Sequence, residues 1–394
     1  MKVQTGLEVL LNDKEIQKQF KGNVALLCHN ASIDATYTHA ALKFKTVFGD
    51  RFVKLFGPQH GFSTDVQDNM VETDHVMHPF FKIPVYSLYS ETRIPTDEML
   101  SGIDHLFVDL QDVGCRVYTY IYTLTHLLEK CASKPIEIVV LDRPNPLNGL
   151  ELEGNILEAG FESFVGRHPI PMRHGMTMGE VALMHQKFWA TEKAKVKVIK
   201  MKNWQRGMYF EDTKLPWLLP SPNLARIESA YTFPATVMFE GTTLSEGRGT
   251  TQALEIVGHP KIEPYKFFEE VLSVAKKESK LTGFEFRPIT FLPTFQKHGN
   301  SVCGGVQIHV TDKSTYKPWR VGQLLMQKLY HYLGDDFGWK EPPYEYVFDQ
   351  KPIDIINGSE KIRHWIVNND SIDKLNALED LEVYKSQLKE IIIY

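Results

Sequence analysis

Short strands that are almost wholly apolar alternate with helical segments through the first half of this chain. Strands are predicted at residues 24–29, 53–56, 85–88, 105–110, 136–141 and 196–201. Continuously apolar strands are typical of a parallel sheet that helices cover on both faces. Helices are predicted between them at 118–130 and 176–189, and Thr177 with Glu180 forms a capping-box pattern in the second. The alternation predicts a doubly wound, Rossmann-like α/β fold.

A proline-rich segment then interrupts this pattern. Residues 215–223 contain three prolines, which break both helix and strand. Later elements are predicted as strands at 284–291 and 302–311 and as helices at 264–278, 321–333 and from about 371 onward. We therefore expect a Rossmann-like domain over residues 1–225, followed by a smaller α+β domain over residues 226–394.

The charge balance argues against a nucleic-acid partner. Lys and Arg number 44 against 49 Asp and Glu, for a formal net charge of −5, and no basic residues cluster as a phosphate backbone requires. No apolar stretch approaches the roughly 18 residues that span a bilayer, and the first residues lack the apolar core of a signal peptide. The sequence as it stands is typical of a cytoplasmic protein, or of a periplasmic one whose export signal was removed. The oligomeric state is left open.

The sequence lacks the motifs of common cofactors and nucleophiles. The turn after the first strand, residues 29–34, has none of the Gly-x-Gly-x-x-Gly spacing of dinucleotide-binding folds. Neither a Gly-x-Ser-x-Gly elbow nor a phosphate-binding loop is present. The four cysteines lie far apart, and the loop histidines His60, His75 and His78 are more typical of solvent-facing side chains than of metal ligands. We expect no cofactor and no metal site.

Polar residues collect after three of the predicted strands, at residues 57–61, 111–120 and 142–149. Open α/β sheets bind ligands in the crevice beyond the carboxyl ends of their strands. These loops are therefore expected to line such a crevice, although turn formation and helix capping explain the same residue types.

A second polar segment, residues 239–251, follows the proline-rich segment. It contains three glycines, two carboxylates and Arg248. Glycine lets a backbone approach a ligand closely, and arginine can bind a carboxylate through two parallel hydrogen bonds. The segment fits a ligand-contacting loop, or alternatively a surface loop with a structural salt bridge.

Eight motifs, taken in order, resemble those of one family. They read LFGPQHGF, VYSLYSETRIPT, VDLQDVGCRVYTY, LDRPNPLNG, HPIPMRHGMT, LPSPN, EGTTLSEGRGTT and CGGVQIHV. Together they resemble the exo-β-N-acetylmuramidases, whose members release N-acetylmuramic acid from the non-reducing ends of peptidoglycan fragments. The resemblance extends over about residues 3–365. It implies a Rossmann-like domain, a smaller C-terminal domain, and an active site in the cleft between them.

One position departs from the family pattern. The motif after the second strand usually reads Pro-Glu-His-Gly in the family, and its glutamate is a favoured catalytic candidate, whereas this chain has Gln59. Glycoside hydrolysis normally needs two carboxyl groups, one of which protonates the leaving oxygen. An amide supplies no such proton. A second interpretation is therefore a muramic-acid-binding paralogue with impaired catalysis. A third is a hydrolase that acts on another sugar or on a cell-wall ester.

The resemblance and the motifs together select a candidate site. The catalytic candidates are Gln59, His60, Asp112 and Glu246. The candidates for substrate binding are Glu91, Asp109, Arg116, Tyr118, Asp142, Arg143, Asn145, Asn223, Glu240 and Arg248. One of the three arginines Arg116, Arg143 and Arg248 is expected to hold the lactyl carboxylate that distinguishes muramic acid from glucosamine, and internal ion pairing is the alternative. The expected function is an exo-acting glycoside hydrolase whose partner is a peptidoglycan-derived sugar.

Overall fold

The first sheet has a doubly wound topology. A computed structural model describes residues 1–67 and 71–394. Within them, a seven-stranded sheet contains β1 (Val24–Cys28), β2 (Phe52–Gly57), β3 (Val76–Met77), β4 (Pro84–Ser87), β5 (His105–Asp109), β6 (Glu137–Leu141) and β7 (Lys195–Ile199). The strand order is β3-β4-β2-β1-β5-β6-β7, and every neighbour pairs in parallel except β3 with β4. The chain winds outward from β1 in both directions, which confirms the predicted fold class and puts the topological switch point between β1 and β5.

The helices around this sheet follow the strands as predicted, with additional helices near the N-terminus. They are α1 (Gly6–Asn12), α2 (Lys14–Lys18), α3 (Ala40–Phe48), α4 (Asp97–Leu100), α5 (Tyr120–Cys131) and α6 (Met178–Met184). The capping box at α6 is present, because the Thr177 hydroxyl accepts from the Glu180 amide and the Glu180 carboxylate accepts from the Thr177 amide. Both residues of β3 are exposed, so no apolar run marks this strand in the sequence.

The second part of the chain contains a smaller sheet packed with helices. Its strands in the described residues are β8 (Ile256–His259), β9 (Phe284–Phe291) and β10 (Cys303–Val310), antiparallel in the order β8-β10-β9. Its helices are α7 (Ile227–Thr236), α8 (Pro264–Phe267), α9 (Ser273–Ser279), α10 (Pro318–Leu333), α11 (Pro352–Asn357), α12 (Lys361–Val367), α13 (Ile372–Asn376) and α14 (Glu382–Lys389). This mixture of antiparallel strands and helices agrees with the predicted α+β class.

A continuous apolar core joins the two parts of the chain. Strands β5 and β6 and helix α5 contribute to the same buried cluster as α7, α10 and the strands of the second sheet. The side chain of Trp319, near the start of α10, is fully buried in it. Burial of apolar surface is the main stabilising contribution to such contacts, so this shared core stabilises the packing of the two parts against each other. None of the described helices has the length and apolarity needed to cross a membrane.

Candidate active site

A cleft lies between the carboxyl ends of β2 and β5 and the segment that follows α7. Five of the predicted site residues line it together, namely Gln59, His60, Tyr118, Glu240 and Arg248. The rest of its wall consists of Val117, Thr119, Tyr120, Val165, Ser221, Phe233, Val237, Leu254, Tyr344 and Glu345. The cleft therefore takes side chains from both parts of the chain.

Glu345 is a carboxyl group in this cleft that the sequence analysis did not select. It is only 4% exposed, and its Oε2 accepts a hydrogen bond from the Tyr89 hydroxyl at 3.3 Å. Burial, with the nearby Glu240 carboxylate acting in the same direction, raises the pKa of Glu345 to about 7. A carboxyl group with such a pKa is protonated in a large fraction of molecules near neutral pH, as a general acid must be.

The backbone around Glu345 has an unusual conformation. Glu345 and Tyr346 have φ angles of 44° and 68°, in the left-handed region that residues other than glycine seldom occupy. Backbone hydrogen bonds between Tyr344 and Val347 close the turn that carries them. Strained residues of this kind concentrate at functional sites. The sequence signal is weak, since a glutamate between two tyrosines after a Pro-Pro pair does not by itself indicate burial.

Glu240 presents a second carboxylate to the cleft, from the helical turn that follows α7. The Arg248 guanidinium donates to its Oε1, and the Tyr344 hydroxyl donates to its Oε2 at 2.8 Å. The ion pair and the hydrogen bond fix the position of this carboxylate. The cleft thus combines an ion-paired carboxylate with a carboxyl group that keeps its proton near neutrality, which is a pair of chemically distinct acids.

His60 and Gln59 contribute neutral polar groups to the same cleft. Burial lowers the pKa of His60 to about 4, and the Arg248 cation acts in the same direction. The His60 Nδ1 lies 2.8 Å from the Val66 carbonyl, and donation to that oxygen leaves the lone pair on Nε2. The Gln59 Oε1 accepts from the Thr119 hydroxyl at 2.6 Å, so its amide NH2 is the group that can meet a ligand. Such groups suit hydrogen bonds with sugar hydroxyls.

Glu246, a predicted catalytic residue, lies behind Arg248 and outside the cleft wall. It is 2% exposed, and it accepts from Arg248 Nε at 3.1 Å and from Lys297 Nζ at 2.7 Å. Burial acts to raise the pKa of Glu246, but the charges of Lys297 and Arg248 outweigh it and lower the pKa. A carboxylate bound by two cations is a poor proton donor. Glu246 therefore lies where it can hold Arg248, and its predicted catalytic role stays a prediction.

Two of the three arginines proposed for the lactyl carboxylate form internal bonds. Arg143 binds both carboxylate oxygens of the fully buried Asp109, at 2.6 and 2.9 Å. The Arg116 side chain is also fully buried. Its guanidinium donates to the carbonyls of Asn155, Ile170, Ile356 and Asn357. Arg116, Arg143 and Asp109 thus have internal partners, and their predicted substrate contacts stay predictions. Arg248 is the one of the three arginines that lines the cleft.

Asp142 and Asn145, two predicted substrate-binding residues, also have internal hydrogen-bond partners. The Asp142 carboxylate is fully buried and accepts from the hydroxyls of Thr177 at 2.7 Å and Tyr394 at 2.8 Å. It therefore ties the start of α6 and the last residue of the chain to the end of β6. The Asn145 side chain donates to the Met176 carbonyl at 3.0 Å and accepts from a backbone amide of its own turn.

The remaining candidates lie beside or away from the cleft. Asp112 is 5% exposed, accepts from a backbone amide at 2.6 Å, and lies 3.4 Å from His174 Nε2. The Asn223 amide donates to the Gln67 carbonyl at 2.8 Å. Glu91 lies on the surface. None of these three belongs to the wall of the cleft within the described residues.

Comparisons with known proteins agree over the whole chain. The family model described as exo-beta-N-acetylmuramidase NamZ, N-terminal, matches residues 24–228, and the corresponding C-terminal model matches residues 231–394. The peptidoglycan beta-N-acetylmuramidase NamZ of Bacillus subtilis (strain 168) is 38% identical, over 100% of this chain and 92% of that protein. Two DUF1343 family proteins of Bacteroides fragilis NCTC 9343 have similar crystal structures. Their TM-scores are 0.85 and 0.74, their identities are 29% and 27%, and the matches cover 100% of this chain and 99% of each of those chains.

Proposed function

This chain belongs to the exo-β-N-acetylmuramidase NamZ family, and on that basis we propose that it releases terminal β-1,4-linked N-acetylmuramic acid from peptidoglycan fragments. The observation that supports it most directly is the buried Glu345 carboxyl group, whose pKa is raised to about 7 in a cleft that also contains Glu240. Glycoside hydrolysis uses such a pair, because one carboxyl group protonates the leaving oxygen while the other acts at the anomeric centre.

The roles of the two carboxyl groups follow from their surroundings. Glu345 has the raised pKa, so it serves as the general acid that protonates the glycosidic oxygen. Glu240 is bound by Arg248 and Tyr344, so it acts as the carboxylate that stabilises positive charge at the anomeric carbon, attacks that carbon, or activates a water molecule. This division does not require a carboxylate at position 59.

Recognition of muramic acid requires a cation for the lactyl carboxylate. Arg248 is the arginine that lines the cleft. Its Nε donates to Glu246 at 3.1 Å, and Lys297 donates to the other oxygen of that carboxylate. We assign the lactyl carboxylate to Arg248, since a guanidinium pairs well with a carboxylate. The Gln59 amide and the neutral His60 Nε2 then contact hydroxyl or acetamido groups of the sugar.

The proposed activity is tested with two substrates, the N-acetylmuramic acid–N-acetylglucosamine disaccharide and a nitrophenyl glycoside of N-acetylmuramic acid. We expect the unmodified protein to release sugar from both and to leave the matching N-acetylglucosamine glycoside intact, because that sugar lacks the carboxylate that Arg248 binds. Gln59→Glu is compared in parallel and is expected to turn over no faster than the parent. If the unmodified protein binds the disaccharide without hydrolysing it, and the Gln59→Glu variant hydrolyses it, the protein would instead be a muramic-acid-binding paralogue.

The pH dependence of kcat gives a separate prediction. Glu345 must carry its proton to act as the acid, so activity is retained below its pKa of about 7 and is lost as the pH rises through that value. Above it, kcat should fall about tenfold for each further pH unit, the slope for loss of one essential proton. The measurement is kcat for the disaccharide under saturating conditions. If kcat is instead lost only at a pH far above neutrality, a group other than Glu345 donates the proton.

A further inference from the structure

Arg93 lies outside the cleft and contacts the turn that carries Glu345 from the other part of the chain. Its guanidinium carbon is 3.9 Å from the centre of the Tyr346 ring and 4.7 Å from that of Tyr89. Its Nη2 donates to the Tyr346 hydroxyl, and that hydroxyl donates in turn to Glu72 at 3.0 Å. The segment after β4 therefore binds both Tyr346 and, through Tyr89, Glu345 itself.

The turn of residues 344–347 needs such an external support. Glu345 and Tyr346 both have left-handed φ angles, which are unfavourable for residues other than glycine. Tyr344 is buried in the core and Val347 packs against it. Tyr346 is 50% exposed, so the middle of the turn has little apolar packing on its outer side. Its internal order depends on the two backbone bonds between Tyr344 and Val347, at 3.0 and 2.9 Å.

We propose that Arg93 is a positioning residue for catalysis, which stacks on and hydrogen-bonds to Tyr346 and thereby holds Glu345 inside the cleft. The inference rests on the proposed role of Glu345 as the general acid. Stacking of a guanidinium on tyrosine combines a cation–π attraction with a directional hydrogen bond at the ring edge, and this geometry fixes the rotation of the turn. Lysine can replace the charge but not the planar stack with its edge-on donor.

The pKa of Glu345 depends on the titratable and charged groups that face it, so a change in this pKa indicates a change in the position of Glu345. They are Glu240, Tyr89, Tyr344 and Arg93. Burial is the largest cause of the raised pKa of Glu345, whereas Arg93 has a smaller, lowering effect. If the turn swings out when Arg93 is removed, the loss of burial outweighs the loss of the cation. The pKa of Glu345 then falls toward its ordinary range, and the basic limb of the pH profile moves to lower pH.

The test compares Arg93→Met and Arg93→Lys with the unmodified protein. Hydrogen–deuterium exchange at the Tyr344 and Val347 amides should become at least tenfold faster in Arg93→Met, and less so in Arg93→Lys. The disaccharide kcat should fall by about tenfold or more in Arg93→Met, with its basic limb shifted to lower pH and KM little changed. Arg167→Met is the control, since Arg167 is similarly exposed and pairs with Glu129 at 3.0 Å.

The two readouts separate failure of this inference from failure of the proposed function. Unchanged exchange in Arg93→Met, or a basic limb that stays in place or moves upward, would show that Arg93 does not hold the turn. Faster exchange in a protein with no muramidase activity at all would support the positional role of Arg93 while overturning the proposed function. If Arg167→Met accelerates exchange at these amides as much as Arg93→Met does, the effect reflects general destabilisation of the protein. That outcome would also contradict the inference.

Discussion

Replacing Glu345 by glutamine is expected to lower kcat for the disaccharide by about 10²- to 10⁴-fold, the usual contribution of a general acid. Glutamine has the same shape and can still accept the Tyr89 hydrogen bond, but it has no acidic proton for the leaving oxygen. The loss corresponds to about 3–5 kcal/mol of activation free energy. Release of N-acetylmuramic acid under saturating conditions measures it, and KM should change little because substrate contacts remain.

Leaving-group dependence distinguishes proton donation from other roles of Glu345. Nitrophenolate departs without protonation, so the defect of Glu345→Gln should be much smaller with the nitrophenyl glycoside than with the disaccharide. Glu341→Gln is the matched control, since Glu341 lies nearby, is exposed, and forms a surface pair with Lys351 at 2.7 Å. Equal losses with both substrates would exclude Glu345 as the acid.

Replacing Arg116 by methionine is expected to destabilise the protein by about 3–5 kcal/mol, because several buried carbonyls lose a charged donor and each buried group left unsatisfied costs about 1–3 kcal/mol. Arg116 is fully buried and donates to four carbonyls, two of which belong to α11 and two to the segment between β6 and α6. Methionine removes the charged donor from these carbonyls. The carbonyls of Asn357 and Ile170 keep one other donor each, and a buried carbonyl left without a donor carries a desolvation cost. The midpoint of urea unfolding measures the effect.

The same variant also tests whether Arg116 stabilises the fold or contacts the substrate. Arg287→Met is the control, because Arg287 is exposed and hydrogen-bonds to Gln307 at 2.6 Å. Its effect should stay within about 0.5–1 kcal/mol, as is usual for surface substitutions. Folded Arg116→Met molecules should keep the parental KM for the disaccharide. Parental stability combined with a raised KM would instead place Arg116 among the substrate contacts.

Local patterns in the sequence were sufficient for much of the first sheet. The predicted strand at residues 105–110 corresponds to β5, and the one at 24–29 to β1, because a strand buried on both faces must be continuously apolar. The capping box of α6 involves residues only three positions apart, so it too can be recognised locally. Exposed elements such as β3 carry no comparable pattern and were missed.

The candidate site was predictable only where motifs followed strand ends or lay in the glycine-rich segment. Gln59, His60 and Tyr118 meet Glu240 and Arg248 in one cleft, since the carboxyl ends of parallel strands share an edge of the sheet. The same reasoning also selected Asp109 and Arg116, whose residue types suit a ligand equally well but whose side chains have internal partners. Whether a charged side chain meets a ligand or an internal partner depends on contacts that the motif does not contain.

The sequence by itself determined the fold class, the family and the position of the polar loops, because periodicity, capping and motif order are properties of neighbouring residues. Only the tertiary structure identified Glu345, which meets Tyr89 from a position 256 residues away along the chain. Its raised pKa comes from burial and from Glu240. Burial and partners so distant in the chain exist only once both parts of the chain have packed together, and for that reason the acid and base roles could not be read from the sequence.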